Sequence, residues 1–271
     1  MAKNSLFILL LIIYGNLNAQ EQSAPNSEVI KNLSAGLGLC NDVIYDASFS
    51  LVRQIGTGPS FNLAYYQSNN KVSHIFENNI GIYRFHSEVP DPNYELSGIH
   101  LHERFVYKYL RNYTFNRFTL SPGPSLVFDF SQIKPEGLVI NNAPLHDFNL
   151  QLQLAAKVVY PLELFNRKCL LAYQLDLPVF GYNSRPDYLG FTEFSGDSKY
   201  FNSYGNYSFL SEKYWYIKND IQFVLNYDKK NNYAIHLNQY YAQNNLVNEY
   251  QNLSNTITFS YSRTFSNKQN E

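Results

Sequence analysis

From Phe148 to Leu162 the chain reads FNLQLQLAAKVVYPL, with Phe148, Leu150, Leu152, Leu154, Ala156, Val158, Tyr160 and Leu162 in one phase. Asn149, Gln151, Gln153, Ala155 and Lys157 occupy the other. Successive Cβ atoms of an extended chain point to opposite faces, so a sustained period of two predicts a β-strand. Cys169 to Val179 repeats the pattern and predicts its hairpin partner. Weaker alternation runs through Leu33–Cys40, Val43–Arg53 and Ser60–Gln67. It sharpens in Val72–His86, Leu96–Leu110, Phe115–Phe130, Lys213–Asp228, Asn232–Ala242 and Asn255–Phe265. Pro122 and Pro124 interrupt one of these runs, which predicts a bulge or kink there.

The connections alternate in length. Ser87–Glu95, Ser131–Leu145, Gly181–Ser211 and Gln243–Ser254 are long, whereas Ser68–Lys71, Arg111–Thr114, Glu163–Lys168 and Lys229–Asn231 are short. Transmembrane barrels of outer membranes have short periplasmic turns and longer extracellular loops. Counting back from a periplasmic last strand predicts an all-β antiparallel barrel of about ten strands, with about twelve as the alternative. One run too many is then visible near the start, so Leu33–Cys40 is taken as strand one and Val43–Pro59 as the first outer loop.

Composition decides between a soluble and a membrane barrel. Only 16% of residues are charged and 17% are aromatic, against about 25% charged in soluble domains. The polar strand phases carry mainly Asn, Gln, Ser, Thr and Tyr, which suits a polar interior and an apolar exterior. Tyr83, Phe85, Tyr107, Tyr109, Tyr160, Tyr214 and Trp215 lie near strand ends, where aromatic girdles belong. At the N-terminus, Lys3, the apolar run Leu6–Tyr14 and the small residues to Ala19 predict a cleaved signal peptide over residues 1–19. That run is too short for a helical span, which needs about 20 residues. Residues 20–32 read as a flexible leader and 33–271 as a single barrel domain. A net charge of −1 gives no electrostatic case for nucleic acid.

Certain segments carry a family resemblance: Asn18-Ala19-Gln20 ending the signal, Leu33-Ser34-Ala35-Gly36-Leu37-Gly38, Gly58-Pro59-Ser60-Phe61-Asn62-Leu63, and Thr256 to Phe265 as a closing strand. The chain resembles the outer-membrane β-barrel proteins of Gram-negative bacteria, and looks most like the small barrels of the Bacteroidota. Its end departs from the commonest pattern, because Ser266 to Glu271 follow the last aromatic. The resemblance implies an outer-membrane location and carries no activity.

Phase assigns an inward-facing polar set: Glu77 and Asn79, His100, His102 and Arg104, Asn149, Gln151, Gln153 and Lys157, Asp176, Lys218 and Asp220, His236 and Asn238. Mixed signs in a narrow barrel predict mutual charge satisfaction, since small barrels are filled by side chains. A Ser–His nucleophile pair within one strand would need both groups on one face; Ser73–His74 and Ser97–His100 are out of phase, while pairs across strands depend on a register that the sequence leaves open. His100 and His102 share a face, but no third metal ligand is in sight. Neither catalytic residues, cofactor nor metal is therefore expected. Glu103 shares the phase of Leu101 and Phe105, so either a bulge shifts it or its face meets a partner. Cys40 and Cys169 fall in opposite phases, which argues against a disulfide. Aromatics crowd Gly181–Ser211, a loop able to fold over the mouth or to meet a glycan or protein. The expected role is a monomeric, non-enzymatic structural, binding or accessory barrel in contact with outer-membrane lipid. A narrow solute channel and a lipid-modifying enzyme are the alternatives.

Overall fold

The computed structural model describes residues 29–46, 50–88, 97–136, 145–185, 203–208, 214–227, 229–244 and 250–267. Twelve strands run β1 Val29–Asp46, β2 Ser50–Ser68, β3 Val72–Ser87, β4 Ser97–Arg111, β5 Tyr113–Thr114 and β6 Thr119–Glu136, then β7 Leu145–Leu164, β8 Arg167–Arg185, β9 Ser203–Ser208, β10 Tyr214–Leu225, β11 Asn231–Asn244 and β12 Tyr250–Asn267. Ten of them close an antiparallel barrel in the order β1–β2–β3–β4–β6–β7–β8–β10–β11–β12. The seam between β1 and β12 is continuous, from Val29 opposite Asn267 to Asp46 opposite Tyr250. Off the ring, β5 pairs with the start of β6, and β9 pairs with the end of β8.

The strand count agrees with the sequence reading, but the first hairpin does not. Val43–Pro59 is not an outer loop: Val43–Asp46 finishes β1, and Ser50–Pro59 opens β2, with Asp46 opposite Ser50. Further expected loops are shorter than read: Ser131–Glu136 belongs to β6, Gly181–Arg185 to β8 with Ser203–Ser208 forming β9, and Gln243–Asn244 and Tyr250–Ser254 to β11 and β12. Nor do the prolines of β6 bulge it. Pro122 and Pro124 pair in unbroken register with Ala156 and Leu154 of β7, on a stretch that β4 does not pair. The register shift falls instead between Leu152 and Gln153, opposite Pro178 of β8. Proline lacks the N–H that the ladder requires. Beyond that point β8 leaves β10, its last partner there being Lys218 opposite Asp176, and takes β9 from Phe180 onward. The expected signal peptide, most of the expected leader, residues 186–202 and 209–211 of the aromatic loop and the tail after Asn267 lie outside the described residues.

Side-chain exposure is inverted relative to a soluble barrel. Leu39 and Phe259 on the outer surface are 73% and 62% exposed, while Gln151 and Lys108 inside are 0% exposed. An apolar outer band around a polar interior is the arrangement of a transmembrane barrel. No helix among the described residues is long and apolar enough to cross a membrane. The barrel has a short-turn end and a long-loop end. At the former, Asn69 Oδ1 accepts hydrogen bonds from the backbone N–H groups of Lys71 and Val72 at 2.8 and 2.7 Å. Phe165 and Asn166, with φ of 51° and 59°, form the two-residue turn between β7 and β8; two positive φ angles match the twist of the flanking strands.

Small residues make room for rings inside. A Cβ on Gly81 would lie 2.5 Å from the Tyr83 hydroxyl, and one on Gly98 would lie 2.5 Å from the Phe85 ring. These two aromatics fold back over the glycines and fill the lumen toward the long-loop end.

Candidate functional site

Every one of the charged and histidine lumen residues expected from phase faces inward, and strand pairing sorts them by depth. Nearest the long-loop end, His100 Nε2 hydrogen-bonds Ser131 Oγ at 2.7 Å, and its Nδ1 lies 3.9 Å from Asp42 Oδ2. Asp42 also accepts a hydrogen bond from the Cys40 thiol at 3.2 Å. Beside this group His102 approaches Asp129 at 3.5 Å. Ser131, both histidines, Asn149 and Asn183 border a cavity of only about 30 Å³, about the volume of one water.

A charged belt crosses the middle. The Arg104 guanidinium is 3.6 Å from Asp129 and lies over the rings of Tyr216 at 5.0 Å and Tyr240 at 5.8 Å. Lys108 Nζ contacts both Glu77 oxygens at 3.2 Å and Asp176 at 3.7 Å. Gln174 donates to both Asp176 oxygens at 2.9 Å, and Gln153 donates to Gln151 beside it. Lys218 stands opposite Asp176 in the β10–β8 register. Deep burial makes unpaired charge very costly, so cations and carboxylates at this level need each other.

Toward the short-turn end the lumen widens into a vestibule of about 870 Å³. Lys157 stands in its wall, its ammonium 5.6 Å from the centre of the Tyr66 ring. His236 Nε2 hydrogen-bonds Ser260 Oγ at 2.9 Å, and its Nδ1 lies 4.0 Å from Asp220. Asn232, which accepts a hydrogen bond from Ser262, and Asn32, which donates to Thr264 at 3.0 Å, complete a neutral polar lining. Lys229 and Lys230 stand at the mouth.

Two arrays of serine, histidine and aspartate therefore exist, each bridging neighbouring strands: Ser131 of β6 to His100 of β4, and Ser260 of β12 to His236 of β11. A search along single strands misses them, because diagonal cross-strand neighbours depend on register. In both, the carboxylate stands beyond hydrogen-bond reach of the imidazole. Among the described residues no group of three His, Cys, Asp or Glu is placed to hold a metal ion. Asp42, Lys108 and Asp129 also belong to the lumen set but were absent from the sequence reading. Lys108 shares the phase of His102 and Arg104, and Asp129 alternates with Phe128 and Phe130, so periodicity alone could have found both. Asp42 lies between two runs that were read as separate elements.

Glu103 lies on the outer surface, since the register passes unbroken through Ile80, Glu103 and Phe130. Its carboxylate accepts a hydrogen bond from Asn78 at 3.5 Å. Both cysteines are free and buried. Cys169, expected in the outward phase of Leu171 and Tyr173, is covered by its neighbours and contacts the Arg167 carbonyl.

No protein-family model matches the chain, and neither does any curated protein sequence. Solved structures do resemble it. The outer membrane protease OmpT from Escherichia coli aligns with 90% of this chain and 99% of its own at 9% identity, with a TM-score of 0.47. The translocator domain of the autotransporter NalP from Neisseria meningitidis covers 95% and 97% at 9% identity and a TM-score of 0.40. Ail, the attachment invasion locus protein of Yersinia pestis, covers 86% and 98% at 9% identity and a TM-score of 0.32. The likeness is one of barrel architecture and reaches no further.

Proposed function

We propose that the chain is an outer-membrane barrel with a sealed lumen, serving as a non-catalytic structural, binding or accessory component of the cell envelope. The short-turn end then faces the periplasm and the long-loop end the exterior. One observation carries the reading against a channel. Lys108, Asp176 and Tyr216, on three different strands at mid-depth, are 0%, 1% and 1% exposed. A water-filled pore leaves the side chains of its wall accessible to water; here they are packed against one another. Pure protein in planar bilayers should give no steady single-channel current, and reproducible unitary steps would overturn the proposal. Recovery of a discrete envelope protein with a tagged copy in mild detergent would identify the assembly.

A second reading, an ester-modifying enzyme, is favoured by Ser260, whose hydroxyl lines the vestibule 2.9 Å from the His236 imidazole, with Asp220 4.0 Å from the other ring nitrogen and so within a small shift of hydrogen bonding. That order of groups is the one a serine nucleophile requires. Turnover of p-nitrophenyl esters by the pure barrel, lost in both Ser260→Ala and His236→Gln variants that still fold, would replace the non-catalytic reading with this one.

A further inference from the structure

We propose that the inner vestibule is a binding site for a small anionic solute, a carboxylate or phosphate group on a polar body, with Lys157 as its principal counter-ion. The proposal deepens the sealed-barrel reading and rests on it for the side to which the vestibule opens.

Size comes first. At about 870 Å³ the vestibule falls in the range of about 300–1,000 Å³ typical of small-molecule sites, whereas the cavities farther along the lumen measure about 30 and 80 Å³. Charge comes second. Lys157, Lys229 and Lys230 line the vestibule, and among the described residues no aspartate or glutamate does. The belt beyond has the opposite character, with its cations set against carboxylates: Arg104 against Asp129, Lys108 against Glu77 and Asp176. Lys157 differs from these. Among the described residues no carboxylate comes within 4.0 Å of its ammonium; Asp220, Glu77 and Asp176 act on it from farther away, and the centre of the Tyr66 ring lies 5.6 Å from it. A cation held on an aromatic face at the edge of an open cavity keeps its remaining donors for a guest.

The neutral lining fits the rest of such a guest. Asn32, Asn232, Gln222 and Ser260 present amides and hydroxyls, able to donate to an anion's oxygens and to accept from hydroxyls or amides on its body. The closed belt sets what happens next. A solute entering from the short-turn end meets Lys108 and Asp176 and goes no further, so the site retains its guest rather than passing it on. Lys229 and Lys230, both exposed at the mouth, add a long-range attraction that salt weakens.

The test uses the purified barrel in zwitterionic detergent, titrated calorimetrically with inorganic phosphate, with succinate and with glucose. Phosphate or succinate should bind saturably at one site and glucose should not. Lys157→Met should weaken the bound anion about tenfold or more, and the rim pair Lys229→Gln with Lys230→Gln about two- to threefold. A second readout does not depend on the guest. Thr264→Cys, on the vestibule wall, should react faster with an anionic methanethiosulfonate than with a cationic one. That preference should vanish when the three lysines are neutralised. Absence of saturable binding for both anions, full affinity in Lys157→Met, or equal thiol reactivity toward both reagents would each overturn the proposal. Such failures with no conductance would leave the sealed barrel standing; unitary currents would remove that reading whatever the titrations give.

Discussion

Lys108 of β4 and Glu77 of β3 meet across the lumen wall, with the ammonium 3.2 Å from both carboxylate oxygens and Asp176 of β8 a further contact at 3.7 Å. The lysine is fully buried. Removing one member of such a group strands the others without water, which costs about 3–5 kcal/mol. Lys108→Met should therefore lower unfolding stability by about that amount. Adding Glu77→Gln should cost less than the sum of the two single changes, because one stranded charge disappears. Urea titration followed by fluorescence of the single tryptophan, Trp215, reads both. Strict additivity would show that the pair is not coupled.

Arg104 tests geometry rather than charge. Its guanidinium is flanked by Asp129 and lies over Tyr216 and Tyr240. Arg104→Lys keeps the charge but loses the planar stack and the fork. The expected cost is about 1–3 kcal/mol in the same titration, given the strength of desolvated cation–π contacts. An unchanged midpoint would mean that charge alone fills this position.

Glu103 should behave in the opposite way. A carboxylate on the lipid-facing surface is unfavourable, though less so than Arg or Lys, which cost about 2–4 kcal/mol at the midplane. Glu103→Leu should raise stability in phosphocholine liposomes by about 1–2 kcal/mol, despite losing the Asn78 hydrogen bond. A fall in stability would show that the carboxylate is held by a partner group, and would point to this face as a contact surface.

The thiols give a chemical check on the barrel wall. Cys40 and Cys169 are buried and free, so the folded protein should stay unlabelled by maleimide and take up two equivalents once unfolded in urea. Electrophoretic mobility should not change with reducing agent. Rapid labelling of the folded protein would place a thiol in contact with water.

Much of this architecture could be read from residue type because a barrel wall obeys one strong rule, alternation between two solvents. Gln151, Gln153, His100, Arg104 and Asp176 were assigned inward on phase alone, and all are buried inside. Where phase was weak, errors followed. Gly36, Gly38, Gly56 and Gly58 supply no side chain to mark a face, so the joint between β1 and β2 was misplaced and Asp42 was lost with it. The Pro122 and Pro124 bulge failed for a different reason: the ladder on that side is interrupted between Ser125 opposite Lys108 and Leu120 opposite Tyr113, and it resumes in the same register with no extra residue. Ser131 with His100, and Ser260 with His236, depend on register across strands, which no single strand encodes.

The change of partner along β8 has a mechanical consequence. Its ladder with β10 extends only from Asp176 opposite Lys218 to Cys169 opposite Leu225, whereas β1 and β12 are joined along their whole lengths. Force that pries the cylinder open breaks the fewest ladder bonds along the β8–β10 joint, so tearing starts there. Because β9 is laced to β8, it would swing away with that side, leaving β10 at the margin of the breach.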